Sequence, residues 1–114
     1  MRKAYKRTDR LNRELLRVLA EVISTEVKDP RVHDVVVVSV RVSADLSVAN
    51  VYVDTLQGEI QEVIDGLEAA QGFLRSRVGS MMRIKRTPRL RFFKDETAKY
   101  LERLSYLSGE EDEA

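Results

Sequence analysis

Apolar residues recur at spacings of three and four between Leu11 and Val27, which places them on one face of a helix. Thr8 or Asp9 is a suitable N-cap, because a short polar side chain can accept hydrogen bonds from the free amides of a first turn. Pro30 disfavours helical geometry at the residue before it, so the helix is expected to end there. The pattern therefore predicts one amphipathic helix between Thr8 and Pro30.

Alternating apolar and polar positions follow in residues 35–43 and residues 49–54, which is the pattern of half-buried β-strands. The intervening Ala44-Asp45-Leu46-Ser47 contains Asp and Ser, whose side chains can bond nearby backbone amides and close a turn. We therefore predict an antiparallel hairpin.

Helical spacing returns in residues 60–70 and 73–82, but the two apolar stripes are out of phase. Gly72 lies at their junction, and glycine permits a backbone bend that a residue with a Cβ resists. Gly66 lies inside the first stretch, where it should cost about 1 kcal/mol relative to alanine. Phe73, Met81 and Met82 are expected in the core. Two helices joined by a bend are predicted.

Residues 90–93, beyond Pro88, form a predicted third strand in which one of Phe92 and Phe93 points inward and the other outward. The outward ring could stack on a base or be covered by the terminal segment. Residues 96–107 are interpreted as a short helix, and residues 109–114 as a disordered acidic tail. Because a helix pair between two strands forms a crossover that favours parallel pairing, we predict an α+β two-layer domain over residues 1–108.

The size and composition of the chain fit one globular domain. Its 114 residues are too few for two independent cores, and a hydrophobic content of 43% is enough to build one. The lack of cysteine excludes disulfides and thiolate metal sites. Since no stretch approaches the roughly 20 apolar residues that cross a bilayer, we expect a cytoplasmic protein without a membrane partner.

Charged residues make up 34% of the chain and are segregated along it, although the formal net charge is only +1. Residues 21–72 carry ten acids and three bases, whereas residues 73–94 carry eight bases and no acid. A polyanion responds to such a local potential and not to the total charge. The basic block of residues 73–94 comprises Arg75, Arg77, Arg83, Lys85, Arg86, Arg89, Arg91 and Lys94.

This basic block predicts RNA binding, because Lys and Arg contacts to phosphates release counterions and give affinity that is largely independent of sequence. The alternative is a helix C-terminus whose cations offset the helix dipole, which would explain one or two of the eight residues. A second basic group, which includes Lys6, Arg7 and Arg10, is either a flexible arm that grips phosphates or a solvated chain end. The residues alone leave both possibilities open for this group.

The sequence contains no recognisable combination of catalytic residues. His33 is the one histidine, and it lies beside Asp34 just after Pro30, so neither a metal cluster nor a nucleophile–base pair can be built around it. The other prominent carboxylates, Asp29, Asp45 and Asp95, fall at the ends of predicted elements, where they commonly cap or turn the chain. We therefore expect no enzyme activity, no cofactor, no metal site and no small-molecule substrate.

Five short motifs occur in order between residues 11 and 107. They are Glu26-Val27-Lys28-Asp29-Pro30-Arg31; Val42-Ser43 with Asp45-Leu46-Ser47 and Ala49; Val51-Tyr52-Val53; Ala70-Gln71-Gly72 followed by Phe73-Leu74-Arg75-Ser76; and Arg83-Ile84 with Pro88, Leu90, Phe92 and Asp95. Together they resemble the ribosome-binding factor A family. Ala44, where the family commonly has a basic residue, and Val32-His33, in place of a frequent Leu-Gly pair, depart from the pattern.

The resemblance implies a type II KH-like fold in which an Ala-x-Gly kink, here Ala70, Gln71 and Gly72, stands in place of the Gly-x-x-Gly loop of ordinary KH domains. It also implies a function. Members of the family bind the free small ribosomal subunit, assist its late maturation and the processing of its rRNA, and support growth in the cold.

The hypothesis is therefore a monomeric ribosome-assembly factor that binds small-subunit rRNA on the face of the kinked helix pair and the third strand. Arg75 and Arg77 are the predicted contacts near the kink. The predicted phosphate track is Arg83, Lys85, Arg86, Arg89 and Arg91. The competing interpretations are a generic KH-like module for single-stranded RNA, a protein-interaction domain that docks a basic partner on its acidic middle, and an enzyme acting on rRNA.

Overall fold

The computed structural model describes residues 2–97 and 101–105, with side chains described from Thr8 onward. Its elements are α1 (Arg2–Glu26), β1 (Val35–Val42), β2 (Val48–Thr55), α2 (Ile60–Ala69), α3 (Gln71–Met82) and β3 (Arg89–Lys94). This is the order that the apolar spacing predicts, and it confirms the α+β, type II KH-like fold. Residues 101–105 are helical within the predicted terminal helix, whereas residues 98–100 and 106–114, including the predicted acidic tail, lie outside the described residues.

Helix α1 begins earlier than predicted. It starts at Arg2, so Thr8 and Asp9 lie in its interior and the N-cap prediction is wrong. The preceding residues are mostly Arg, Lys and Ala, which are good helix formers, and no glycine or proline interrupts them. The predicted basic arm is therefore continuous with α1. The buried face of the helix is formed by Leu15, Val18, Leu19, Val22 and Ile23.

Strands β1 and β2 form the predicted antiparallel hairpin. Its turn is built around Asp45, whose Oδ1 accepts hydrogen bonds from the Ser43 hydroxyl at 2.8 Å, the Ser47 hydroxyl at 2.7 Å and the Ser47 amide at 3.1 Å. These bonds hold the pKa of the Asp45 carboxyl below its usual value, the hydroxyl of Ser47 contributing most. The register shifts between Val37 and Ser39, which marks a β-bulge in β1.

The third strand pairs with β2 in parallel, which gives the sheet order β1-β2-β3 with β2 in the centre. The crossover through α2 and α3 and the long helix α1 cover one face of this sheet. The inward side chains of the strands, Val40, Val42, Ala49, Val51, Val53, Leu90 and Phe92, form the core with Leu67, Leu74 and Val78 from the helices. Among the described residues, no helix is long and apolar enough to span a membrane.

Ala70 carries the bend between α2 and α3. Its backbone angles are φ −91° and ψ 10°, and its amide is shared between the carbonyl oxygens of Gly66 and Leu67 at 3.1 Å each. Gly72 lies inside α3 with no positive φ, and a Cβ built on it would meet no atom within 4 Å. The bend is therefore confirmed, but the prediction that Gly72 supplies its conformational freedom is wrong.

Gly66 has a packing role that the helical pattern did not indicate. It is buried in α2, and a Cβ at this position would lie 2.6 Å from Val32 Cγ2 and 3.2 Å from Arg31 Cβ. The turn after α1 is thus seated directly on the backbone of α2. We therefore expect that alanine at Gly66 brings no gain in stability, since its methyl group would collide with the turn.

Two helix side chains bind the outer edges of the sheet. On the β3 side, the Gln71 amide donates to the Leu90 carbonyl and accepts from the Leu90 amide, both at 2.8 Å. On the β1 side, Asn12 Oδ1 accepts a hydrogen bond from the Val42 amide at 2.9 Å. These contacts fix the α2–α3 junction against β3, and α1 against β1, close to the β1–β2 turn.

The core predictions for the aromatic and methionine residues are partly wrong. Phe73 and Met81 are 44% and 36% exposed, because each lies one residue, or about 100° of rotation, before the buried stripe of α3. Met82 packs against the core as predicted. Phe92 is buried and Phe93 lies on the outer face, so the predicted division of this pair is confirmed.

The three carboxylates predicted at element ends all turn the chain. Asp29 accepts hydrogen bonds from the Arg31 amide at 2.9 Å and from its guanidinium at 2.7 Å, and these lower the pKa of Asp29 to about 2. Asp45 and Asp95 likewise accept from the backbone amide two residues later. Each side chain acts locally, which accounts for its presence without a catalytic role.

The Asp29–Arg31 contact makes the stability depend on acid pH. Because the folded pKa of about 2 lies below the ordinary 3.8, the contact stabilises the fold above that ordinary value and is lost as the pH falls towards 2. The free energies of unfolding of the chain and of Asp29→Asn should therefore converge between about pH 4 and pH 2. Urea unfolding at a series of pH values measures this, and a difference that stays constant down to pH 2 would contradict it.

Candidate nucleic-acid interface

The loop after α3 and the hairpin turn enclose an open cleft of about 590 Å³. Its cations come from the basic block: Arg75 from α3, and Lys85 and Arg86 from the loop. The residues that line it are Asp45, Leu46, Ser47, Arg75, Lys85, Arg86 and Thr87. The hairpin turn was missing from the sequence-based site, because only the pairing of β3 with β2 brings it beside the loop.

The cations of the cleft differ in their partners. Arg75 donates to the Thr87 carbonyl at 3.0 Å, which steadies the loop while leaving the side chain exposed. Lys85 and Arg86 are exposed and make no hydrogen bond or ion pair with another described residue. Asp45, the acid of the cleft, is held within its own turn by the two serines. Lys85 and Arg86 are therefore available to an anionic ligand.

Arg77 is placed differently from the other predicted contacts. Its guanidinium donates to both carboxylate oxygens of Glu26, at 2.7 and 3.0 Å, and the pair is partly buried between α3 and α1. The hydrogen bond from Arg77 lowers the pKa of Glu26, and the same bond raises the pKa of Arg77. Because its Nε and Nη2 both donate to Glu26, the Arg77 guanidinium joins α3 to α1. It is therefore less available to RNA than Lys85 or Arg86.

Arg83 ends α3 and is not part of the cleft lining. It adopts the left-handed conformation with φ 56° and ψ 42°, and the Ile84 amide donates back to the Gly79 carbonyl at 3.2 Å. This arrangement is a common helix C-cap. The Arg83 side chain is exposed beside the loop.

Arg89 and Arg91 project from β3 on the face of the sheet that the helices do not cover. The Arg89 amide donates to the Ser47 carbonyl at 2.9 Å, so this residue adjoins the cleft. Arg91 lies further along the strand, with its Cζ 5.3 Å from the centroid of the Phe93 ring. The basic block therefore lies partly in the cleft and partly on the sheet face, with Arg89 between the two parts.

The N-terminal basic group lies at the start of α1. Lys6 and Arg7 belong to its first turns, and their side chains fall outside the described residues. Arg10 is exposed two residues before Asn12, whose bond to Val42 places this end of α1 beside the hairpin end. The group and the cleft are thus at the same end of the sheet.

The kink itself offers little positive charge. Beside Ala70 lies a recess of about 220 Å³ lined by Phe73 and by the residues that follow α1. Lys28 is the cation of this lining. Gln71 is bound to Leu90, and Gly72 is exposed. The predicted kink residues therefore shape the helix pair, whereas the cations gather at the other end of α3.

The candidates for catalysis remain separate. His33 Nδ1 lies 3.3 Å from Asp34 Oδ2 on an exposed loop. Within residues 2–97 and 101–105, no group of three or more His, Cys, Asp or Glu side chains could hold a metal ion.

Comparison with known proteins agrees with the fold. The family model for ribosome-binding factor A matches residues 7–108. The ribosome-binding factor A of Halorhodospira halophila is 48% identical over 113 residues, covering 96% of this chain and 90% of that protein.

Solved structures show the same relationship. The crystal structure of ribosome-binding factor A from Thermus thermophilus has a TM-score of 0.71 and 34% identity, and the match covers 76% of this chain and 93% of that one. A homology model of the Thermus thermophilus protein, fitted into the cryo-EM map of a complex with the 30S subunit, has a TM-score of 0.64 and 33% identity. That match covers 74% of this chain and 90% of the other. The chain therefore belongs to the ribosome-binding factor A family.

Proposed function

We propose that this protein binds the free small ribosomal subunit through phosphates of its rRNA, and that the cleft of Arg75, Lys85 and Arg86 is the main contact. Two facts support the proposal. Lys85 and Arg86 line a cleft and are unpaired among the described residues, and a homology model of a family member with 33% identity has been fitted into the map of a 30S complex.

The observation that supports this proposal most directly is that the cations of the basic block differ in whether they have a bonding partner. Arg77 is bound to Glu26, while Lys85 and Arg86 have no partner among the described residues. Cations that stabilise the fold are expected to be paired, whereas cations kept for a polyanion are expected to remain solvated. A lysine provides a point charge and an arginine a planar fork, so the pair can hold adjacent phosphates of a folded RNA.

The mechanism is binding without chemistry. A monomer in the cytoplasm holds one conformation of the rRNA during late maturation, assists its processing, and prevents premature use of the subunit until it leaves. The contribution to growth in the cold follows from the same step, since RNA helices that are paired wrongly rearrange more slowly at low temperature.

The proposal is tested by pelleting the purified chain with free small subunits and with full ribosomes over a range of salt. We expect binding to free subunits only, with log affinity falling by about 0.7–0.9 per log unit of salt for each phosphate neutralised. The three cleft cations alone would give a slope of roughly 2–3.

Other outcomes separate the competing functions. A nearly flat salt response would replace the electrostatic mechanism with a protein–protein contact. Equal binding to a short single-stranded oligonucleotide and to the subunit would indicate a general RNA-binding module. Binding to full ribosomes with undiminished affinity would exclude an assembly role.

A further inference from the structure

The uncovered face of the sheet carries a compact group of aromatic, amide and basic side chains. Tyr52 and Phe93 are neighbours on β2 and β3, and their rings stack with centroids 5.6 Å apart and an angle of 28° between planes. The Arg91 guanidinium lies 5.3 Å from the Phe93 centroid, on the same strand. A guanidinium and two rings therefore form one column on the face of the sheet opposite α1, α2 and α3.

A second row crosses the same face beside these rings. The strand registers place Arg41, Asn50 and Arg91 side by side on β1, β2 and β3. In the part of the chain that the structure describes, Asn50 Oδ1 is a buried side-chain oxygen without a hydrogen-bond partner. A polar atom left in this state is costly. A ligand that turned the Asn50 amide out of its buried position and bonded it would remove that cost.

We propose that this sheet face is a second RNA contact, which binds unpaired nucleotide bases. Bases stack on aromatic rings and on guanidinium planes, and their edges bond side-chain amides. Tyr52, Phe93 and Arg91 supply the stacking surfaces, and the Asn50 amide, once turned outward, can bond a base edge. Arg41 lies across Asn50 from Arg91, where it can meet the phosphates on either side of a bound base.

The charge of the face and its continuity with the cleft favour RNA over a protein segment. Arg89 and Arg91 stand on alternate positions of β3, and Arg89 bonds Ser47 in the wall of the cleft. A single strand leaving the cleft can therefore follow the cations of β3 onto the sheet. Asp54, the acid of this face, lies at its far end and accepts a hydrogen bond from Thr55.

The inference rests on the proposed function only in naming RNA as the ligand. The two sites are expected to bind different parts of that RNA. The cleft needs phosphates, whereas the sheet face needs bases. An eight-nucleotide single-stranded RNA and an abasic backbone of the same length separate these demands.

We expect Tyr52→Ala and Phe93→Ala each to weaken binding of the RNA about 10-fold and to leave binding of the abasic backbone unchanged. Tyr52→Phe, which keeps the ring, should retain affinity. Lys85→Glu with Arg86→Glu should weaken binding of both the RNA and the abasic backbone. If this double variant bound both ligands as tightly as the original chain, the proposed function would be overturned while the sheet-face inference would stand. Equal losses of RNA and abasic backbone in the alanine variants, or no loss at all, would overturn the sheet-face inference.

A measurement on the unaltered chain covers the case in which an alanine variant fails to fold. In NMR spectra, the ring resonances of Tyr52 and Phe93 should shift on addition of the RNA and stay in place on addition of the abasic backbone. Contacts from residues 101–114 to these rings in the free chain would mean that the terminal segment covers the face. That result would overturn the inference, as would rings that do not respond to the RNA.

Discussion

Replacing Lys85 and Arg86 together by glutamate is expected to weaken subunit binding at least 100-fold while folding stays cooperative. A hydrogen bond to a charged group contributes about 1.5–3 kcal/mol, so two lost phosphate contacts amount to roughly two to four powers of ten. The introduced carboxylates add repulsion from the phosphates. Because both side chains are exposed and unpaired among the described residues, the melting temperature should hardly change. Subunit pelleting and thermal unfolding of the same preparation measure both quantities.

The matched control is Arg17→Glu with Lys28→Glu, which changes the net charge by the same amount on exposed positions within and just after α1. It should weaken binding far less, since only long-range electrostatics would act. Similar losses in both double variants would mean that total charge, and not the cleft, governs binding. An unfolded cleft variant would assign Lys85 and Arg86 a structural role. A folded variant that still binds would move the site to the start of α1.

Gly66→Ala is expected to lower the melting temperature by roughly 4–8 °C. Overpacking of a filled site costs about 1–3 kcal/mol, and the better helix propensity of alanine returns about 1 kcal/mol of this. A net loss of 1 kcal/mol shifts the melting temperature of a domain of this size by about 4–8 °C. The collision is with Val32, a β-branched and buried residue that has little freedom to rotate away. Thermal unfolding followed by circular dichroism measures the effect.

Gly72→Ala is the matched control, since it makes the same change in the neighbouring helix. A Cβ at Gly72 meets nothing within 4 Å, so the variant should be more stable by about 0.4–1 kcal/mol. Destabilisation of Gly72→Ala would restore a conformational role for that glycine. A Gly66→Ala protein as stable as the original chain would show that the turn at Val32 moves freely.

Features that depend on neighbouring residues could be predicted from the sequence. The hairpin was predicted because alternation and the Asp45 turn are local patterns, and the structure confirms both. The bend between α2 and α3 was visible as a change of phase, but its position was not. A phase change locates a bend within a few residues, and glycine was preferred over Ala70 on conformational grounds alone.

Features that depend on distant residues could not be predicted. Arg77 looked like any other cation of the basic block, because its partner Glu26 lies 51 positions earlier. Gly66 looked like an ordinary helix glycine, since the turn that fills its space belongs to another part of the chain. In the cleft, composition indicated the cations of one wall, whereas the second wall is set by the parallel pairing of β2 with β3.

The two side-chain amides at the sheet margins have a consequence for self-association. An exposed strand margin is a template on which another chain can add, which leads to aggregation or exchange of segments. Here Asn12 occupies the Val42 amide on one side, and Gln71 occupies both backbone groups of Leu90 on the other. The bulge in β1 further disturbs any regular template. A helix side chain thus takes the place of a neighbouring strand at one residue of each outer strand, which leaves fewer backbone groups open to pairing with a second copy of the chain.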